Sequence, residues 1–196
     1  MIAHLPKGDH WACRNLVHLE TSVSEMVHFS LNRKKQNAAY RRGVGIVLFN
    51  RLGKVFVGQR IDTQSSAWQM PQGGIDADET PEQAAWREML EEIGTNKAKL
   101  LAESQKWFTY DLPSSLKKTL WKGRYRGQRQ KWFAFLFLGN DNQININTSN
   151  PEFREWRWVD FEQVTELIVP FKKPLYENII HEFAALRGVL ADYPKV

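Results

Sequence analysis

The sequence predicts an α+β fold, and three observations carry that expectation. The apolar runs Val44-Gly45-Ile46-Val47-Leu48-Phe49 and Val55-Phe56-Val57 flank Asn50-Arg51-Leu52-Gly53, which reads as a β-hairpin. Between Thr80 and Gly94 lies a segment with full helix punctuation: a threonine N-cap, Pro81 at the first helical position, Gln83 three residues after the cap, and a terminal glycine. Near the C-terminus, Tyr176, Ile179, Ile180, Phe183 and Leu186 recur at helical spacing and place an apolar stripe on a second helix.

Taken in order, the hairpin is followed by an extended segment at 68–70 and by Pro71-Gln72-Gly73-Gly74, whose paired glycines read as a loop. The capped helix spans about 81–93. Strands are expected at about 99–111, 131–138 and 156–159, then a short helix after Asp160 and a longer one over about 173–187. Residues 1–39 lack sustained periodicity and hold four of the five histidines, so they read as a loosely ordered N-terminal extension to one domain spanning 40–196. A short helix at 23–29 is the only element suggested there. His10 and Cys13 have the chemistry to begin a metal site, but no second ligand pair follows at finger-like spacing.

Composition narrows the class. With 196 residues, 42% of them hydrophobic and 25% charged, the chain can bury a core without disulfides or a structural metal. One cysteine forms no internal disulfide and points to a reducing compartment, the cytoplasm. The longest apolar run, Trp132 to Leu138, is far shorter than the ~20 residues of a membrane span. Lys7, Asp9, His10 and Arg14 interrupt any signal-like stretch. A net charge of +5 and a pI near 9.3 favour an anionic partner.

The chemistry centres on the capped helix. Glu88, Glu91 and Glu92 lie at i, i+3 and i+4, on one face and near the C-terminal end, where like charges repel and the helix dipole disfavours anions. Alone, such a trio reads as a solvated acidic face neutralised by Arg87. A compensating charge is the other explanation, and a hard-oxygen cluster selects Mg²⁺ or Mn²⁺ over zinc.

The surroundings favour the metal. Gly73, five residues, Glu79, seven residues, then Arg87-Glu88-Met89-Leu90-Glu91-Glu92-Ile93-Gly94 resembles the signature box of the Nudix hydrolases. With residue frequencies near ~6%, its seven specified positions match by accident on the order of once in 10⁸ to 10⁹ windows. Thr95 departs from the aliphatic residue usual at that position. The resemblance implies a Nudix fold, a mixed β-sheet between helices in an α/β/α sandwich. It implies that Glu88, Glu91 and Glu92 bind the cation with the Gly73 carbonyl, that Glu79 and Arg87 form an ion pair fixing loop to helix, and that Gly94 ends the helix. Glu88 follows the box arginine and is one expected general base. Glu152, in the loop Thr148-Ser149-Asn150-Pro151-Glu152-Phe153, is the alternative base or a further ligand.

Trp68 to Gly74, Gln130 to Phe133, Pro151 to Phe153, Trp156 to Val159 and Phe171-Lys172 further resemble the bacterial RNA pyrophosphohydrolase branch, which also includes dinucleoside polyphosphate hydrolases. This likeness covers about residues 40–187. It implies that Arg41, Arg60, Phe171 and Lys172 bind substrate, although each taken alone reads as a surface cation or a core ring. The implied substrate is 5′-triphosphorylated RNA, converted to 5′-monophosphorylated RNA and pyrophosphate, or else a nucleoside polyphosphate of the diadenosine tetraphosphate type. A catalytically silent nucleotide- or RNA-binding module is the rival from another class. Neither a membrane nor DNA is expected as partner.

One further segment, Leu116 to Lys131, holds Lys117, Lys118, Lys122, Arg124, Arg126, Arg129 and Lys131 with no acid, interleaved with Trp121 and Tyr125. Cations alternating with rings look like a phosphate-backbone contact surface.

Overall fold

The computed structural model describes residues 39–62 and 67–191. The expectations placed on residues 1–38, including the helix at 23–29 and the His10/Cys13 pair, lie outside them. The strands are β1 (Tyr40–Phe49), β2 (Val55–Arg60), β3 (Trp68–Gln69), β4 (Gln72–Gly74), β5 (Ala98–Glu103), β6 (Phe108–Asp111), β7 (Gly127–Phe137) and β8 (Phe153–Val159). The helices are α1 (Pro81–Ile93), α2 (Ser114–Lys117), α3 (Val164–Leu167), α4 (Lys173–Phe183) and α5 (Leu186–Ala191).

At the centre β1 runs parallel to β7, from Tyr40 opposite Gly127 to Phe49 opposite Leu136. The other pairings are antiparallel, so the sheet is mixed, ordered β3-β2-β1-β7-β5, with β4 also on β1, β6 on β7 and β8 on β2. Side-chain alternation along the central pair divides the core. Val44, Ile46, Leu48, Phe133, Phe135 and Phe137 pack with Ala84, Ala85, Met89 and Ile93 of α1. Val47, Phe49, Trp132, Ala134 and Leu136 pack with Leu175, Tyr176, Ile179 and Phe183 of α4. Both faces of β1 are therefore covered, which is why its sequence is a continuous apolar run without polar alternation. The result is the expected α/β/α sandwich. No helix among the described residues is long and apolar enough to cross a membrane.

Several elements differ from the sequence expectation. The segment 99–111 is two strands because Ser104 interrupts it. The Ser104 hydroxyl donates to the Lys106 carbonyl and accepts from the Trp132 N–H, at 3.0 and 3.1 Å, so a side chain takes over ladder bonding. Residues 72–74 form β4, hydrogen-bonded to β1, where a loop was expected. The expected helix over 173–187 ends at Phe183, and a separate turn of helix follows from Leu186. Trp158 shares a face with Trp156 but is only half-buried, with its indole N–H on Asp141 at 3.0 Å.

Gly45 lets the two central strands pack as they do. A Cβ there would stand 2.3 Å from the fully buried ring of Trp132. Gly45→Ala should therefore destabilise the protein by about 1–3 kcal/mol through overpacking. Gly53→Asn is the contrast: its φ of +73° suits asparagine and nothing lies within 4 Å of a Cβ there, so its effect should stay within about 0.5 kcal/mol. Urea unfolding of both variants checks this, and equal stabilities would contradict it.

Candidate active site

Helix α1 is fixed at both ends. Thr80 Oγ1 accepts the Gln83 N–H at 3.2 Å, and Gln83 Oε1 accepts the Thr80 N–H at 2.8 Å. Gly94 closes the helix in the left-handed region at φ 71°, donating its N–H to the Leu90 carbonyl at 3.0 Å. With Ala84, Ala85, Met89 and Ile93 committed to the core, the helical period turns Glu88 and Glu92 toward β4.

Arg87 joins helix to loop. Its guanidinium donates to both oxygens of Glu79, at 2.6 and 3.0 Å, and to the Gly74 carbonyl at 2.8 Å. The remaining nitrogen, NH1, donates to Glu88 at 2.9 Å and to Glu91 at 3.2 Å. This contact holds the Glu79 carboxyl below the ordinary carboxylate range.

Glu88 and Glu92 are buried, whereas Glu91 is exposed. The strand beside them is close. A Cβ on Gly73 would fall 1.7 Å from the Glu88 carboxyl carbon, so only glycine fits there. Glu92 Oε2 accepts the Gln72 N–H at 3.2 Å, and its buried Oε1 has no hydrogen-bond partner among the described residues. Burial pushes the Glu92 carboxyl well above its ordinary value, with nearby Glu152 and Glu88 adding to the shift. Glu88 is also raised, mainly by burial, against the opposing effect of Arg87.

An orphaned buried carboxylate oxygen beside a second buried carboxylate is a donor set that suits a hard divalent cation. Among the described residues no three His, Cys, Asp or Glu side chains are gathered around one cation position, and Arg87 is ion-paired with both Glu88 and Glu91.

Within electrostatic reach of Glu92 stand two cations, Arg60 and Lys172. Arg60, at the end of β2, bonds Asp62 through two nitrogens at 2.7 Å and Glu152 at 2.9 Å. These residues, with Ile61, Ser149, Asn150 and Pro151, line an open cleft of about 460 Å³. Glu152 is thus brought within electrostatic reach of Glu88 and Glu92 and is ion-paired to Arg60.

Lys172 is buried. Its Nζ donates to Gln72 Oε1 at 3.2 Å and Gln69 Oε1 at 3.5 Å, 5.1 Å from the Tyr110 ring centre. Burial, then the Arg60 charge, pushes its ammonium pKa down to about 7. Phe171 is half-buried against Tyr110, at 5.9 Å between ring centres. Arg41 lies across β4, with NH2 2.1 Å from the position a Gly74 Cβ would take.

The sequence reading missed the polar floor under Lys172. Gln130 donates through one amide nitrogen to Gln72 and Gln128, at 3.1 and 2.7 Å, and the Tyr110 hydroxyl donates to Gln128 at 3.0 Å. The available signal was Gln128 and Gln130 at i, i+2 leading into an apolar strand, two amides on a face that is core further along. The basic segment also differs from expectation. Arg126 pairs with Asp111 at 2.6 Å, Lys131 pairs with Glu103 at 3.0 Å, and Arg129 lies over Trp107 at 5.4 Å.

The Glu92 environment gives a test. The folded protein holds the Glu92 proton more tightly than the unfolded chain, so this group's contribution to stability falls as pH rises above the ordinary value of 4.5. With divalent ions chelated, Glu92→Gln should therefore raise Tm at pH 7 and flatten that decline in a pH series of thermal melts. An unchanged pH series would show that the carboxylate is not strained by burial.

Comparison with known proteins agrees with this geometry. Residues 39–179 match the NUDIX domain. An RNA pyrophosphohydrolase of Rhodospirillum rubrum is 60% identical over 145 residues, which is 74% of this chain and 87% of the relative. One of Rickettsia conorii is 52% identical over 155 residues, 79% of this chain and 96% of the relative. In fold, the E. coli dihydroneopterin triphosphate pyrophosphohydrolase superposes with a TM-score of 0.54 at 20% identity, covering 73% of this chain and 98% of that one. The glycine-cradled glutamates, the arginine that ties them to their loop, and a match spanning most of the sequence make this chain a member of the NUDIX-domain family.

Proposed function

We propose that this protein is a Mg²⁺-dependent RNA 5′-pyrophosphohydrolase, which removes pyrophosphate from 5′-triphosphorylated RNA and leaves the 5′-monophosphate end that primes mRNA decay. The observation that carries the substrate is the 60% identity over 145 residues with a protein named RNA pyrophosphohydrolase. The site supports it: acids suited to a cation lie within electrostatic reach of bases suited to a polyphosphate. A location in the cytoplasm fits both the substrate and a chain with one cysteine.

Glu88, Glu91 and Glu92, with the Gly73 carbonyl, would hold Mg²⁺, and Mn²⁺ satisfies the same oxygen donors. When bound, such an ion neutralises phosphate oxygens and lowers the pKa of the attacking water. The reaction adds one water across a phosphoric anhydride bond, and a carboxylate must accept its proton. Glu88 is assigned that role because it follows the box arginine, the position the family resemblance implies for the base, and is buried beside Gly73. Glu152, which lines the cleft within electrostatic reach of Glu88 and Glu92, is the alternative base or a further ligand. Arg60, Arg41 and Lys172 receive the phosphates, and Phe171 offers an apolar ring to a base. Lys172 is suited to this because an arriving polyanion favours its protonated form, so binding itself completes the charge.

The test offers purified protein and Mg²⁺ both triphosphorylated RNA and diadenosine tetraphosphate. Pyrophosphate and monophosphorylated RNA should appear, with the higher kcat/KM on RNA. A preference for the dinucleotide would reassign the substrate, and RNA binding without turnover of either would make the protein a silent binding module. Glu88→Gln should lower kcat by about 10²-fold or more with folding intact. Glu152→Ala should also lower activity; full activity would reduce Glu152 to a partner of Arg60.

A further inference from the structure

We infer that the loop after β6, residues 113–126, is a second RNA contact that carries the single-stranded chain as it leaves the 5′-end site. The inference rests on the RNA reading above and extends it from the triphosphate to the polymer behind it.

The first support is continuity. Arg41, lying across Gly74, places its guanidinium 5.5 Å from the Trp121 ring centre. Trp121 meets Tyr125 edge-on at 6.0 Å, and the Arg124 guanidinium lies 5.9 Å from the Tyr125 ring. A row of alternating rings and cations therefore runs from the β4 edge of the active site into the loop. Rings offer stacking to successive bases while cations take the phosphates between them.

Charge is the second support. Lys118, Lys122 and Arg124 are exposed and Lys117 is partly so, and among the described residues none of the four forms an ion pair with a carboxylate. Arg126 and Lys131, further along the same segment, are paired and belong to the scaffold. Three exposed cations without an ion pair, with Lys117 beside them in electrostatic reach of Asp111, provide sites for phosphates to displace counterions.

Conformation is the third. Trp121, Lys122 and Gly123 are all in the left-handed region, at φ 51°, 56° and 71°. Two of these residues carry side chains that disfavour it. The surroundings over-determine this turn, with Trp121 packed against the core margin and under Arg41. It holds Trp121 inward and leaves Lys122 at the exposed tip.

The variant Lys117→Ala/Lys118→Ala/Lys122→Ala/Arg124→Ala removes the charge without touching the residues that hold the triphosphate. Its kcat/KM should fall about tenfold or more on a triphosphorylated single strand of roughly 20 nucleotides and stay within about twofold on a triphosphorylated dinucleotide. Tyr125→Ala should lose about fivefold or more on the longer RNA alone. Independently of cleavage, a 5′-hydroxyl single-stranded RNA should bind the four-site variant more weakly, and the slope of log affinity against log salt should flatten by ~0.7 per lost contact. Equal losses on both lengths, no loss on the longer one, or unchanged binding of the 5′-hydroxyl strand would each overturn the inference. If the wild-type protein releases no pyrophosphate from either RNA, the proposed activity fails, and the 5′-hydroxyl binding series still decides the loop.

Discussion

The site depends on one guanidinium. Three glutamates within a turn and a half of helix repel one another, and two of them are also withdrawn from water. Arg87 relieves that repulsion by donating to Glu88 and Glu91 while its other nitrogens grip Glu79 and the Gly74 carbonyl. Because the fork is planar and stays charged at every accessible pH, the same group sets both the charge balance and the angle at which the loop meets the helix. A lysine would neutralise equally well and fix nothing. The glycine at 73 follows from this geometry, since a loop drawn this close leaves no room for a Cβ beside the Glu88 carboxylate.

Glu92 and Lys172 are pushed in opposite senses by the same cause. Burial raises the Glu92 carboxyl and depresses the Lys172 ammonium, so each is pushed toward its neutral form. They relieve each other only in part. Arg60 lowers the proton affinity of Glu92 but also that of Lys172, and Glu152, paired with Arg60, raises both. A cation on the acids and a polyanion on the bases would favour the charged form of both groups together. Occupancy of the two halves should therefore be cooperative, because each ligand favours the charged form of the group beside it and an ionised Glu92 in turn favours a charged Lys172.

Local sequence carried the hairpin, the caps of α1 and the spacing of the box, because those are set by neighbours three or four residues apart. What it could not carry was pairing across long separations. The acids that partner Arg126 and Lys131 lie on β6 and β5, so the segment 116–131 reads as more uniformly basic than the folded surface is. Ser104 breaks a run of strand-like residues through hydrogen bonds to β7, which no periodicity reports. The glutamine floor under Lys172 was only hinted at, by Gln128 and Gln130 at i, i+2, for the same reason. Gln72, Gln128 and Gln130 look like separate polar residues until β4, β1 and β7 are laid side by side. Phe171 was ambiguous between core and substrate ring, and its half-buried place on Tyr110 is compatible with either.

The α4-facing side of the sheet supplies both core and the basic half of the site, while the acids come from α1 on the other side, and its side chains change character along the strands. On the α4 side, Val47, Phe49, Trp132, Ala134 and Leu136 are apolar and closely packed. Toward the starts of β1 and β7 the same alternation brings in Gln130, Gln128 and Arg41, and β4 pairs with β1 there. Gly45 stands at the changeover, giving the Trp132 ring the space that a side chain would occupy. The indole thereby ends the apolar core directly beside the amides that support Lys172. The polar residues on this face are held by the same two strands that hold the hydrophobic ones, so the site gains the rigidity of the central parallel pair. The cost falls on hydrogen bonding. Gln69 Nε2, Gln130 Oε1, Trp132 Nε1 and Glu92 Oε1 are all buried without a partner among the described residues. Their concentration around the site marks where the fold gives up stability to keep polar groups ready for a ligand.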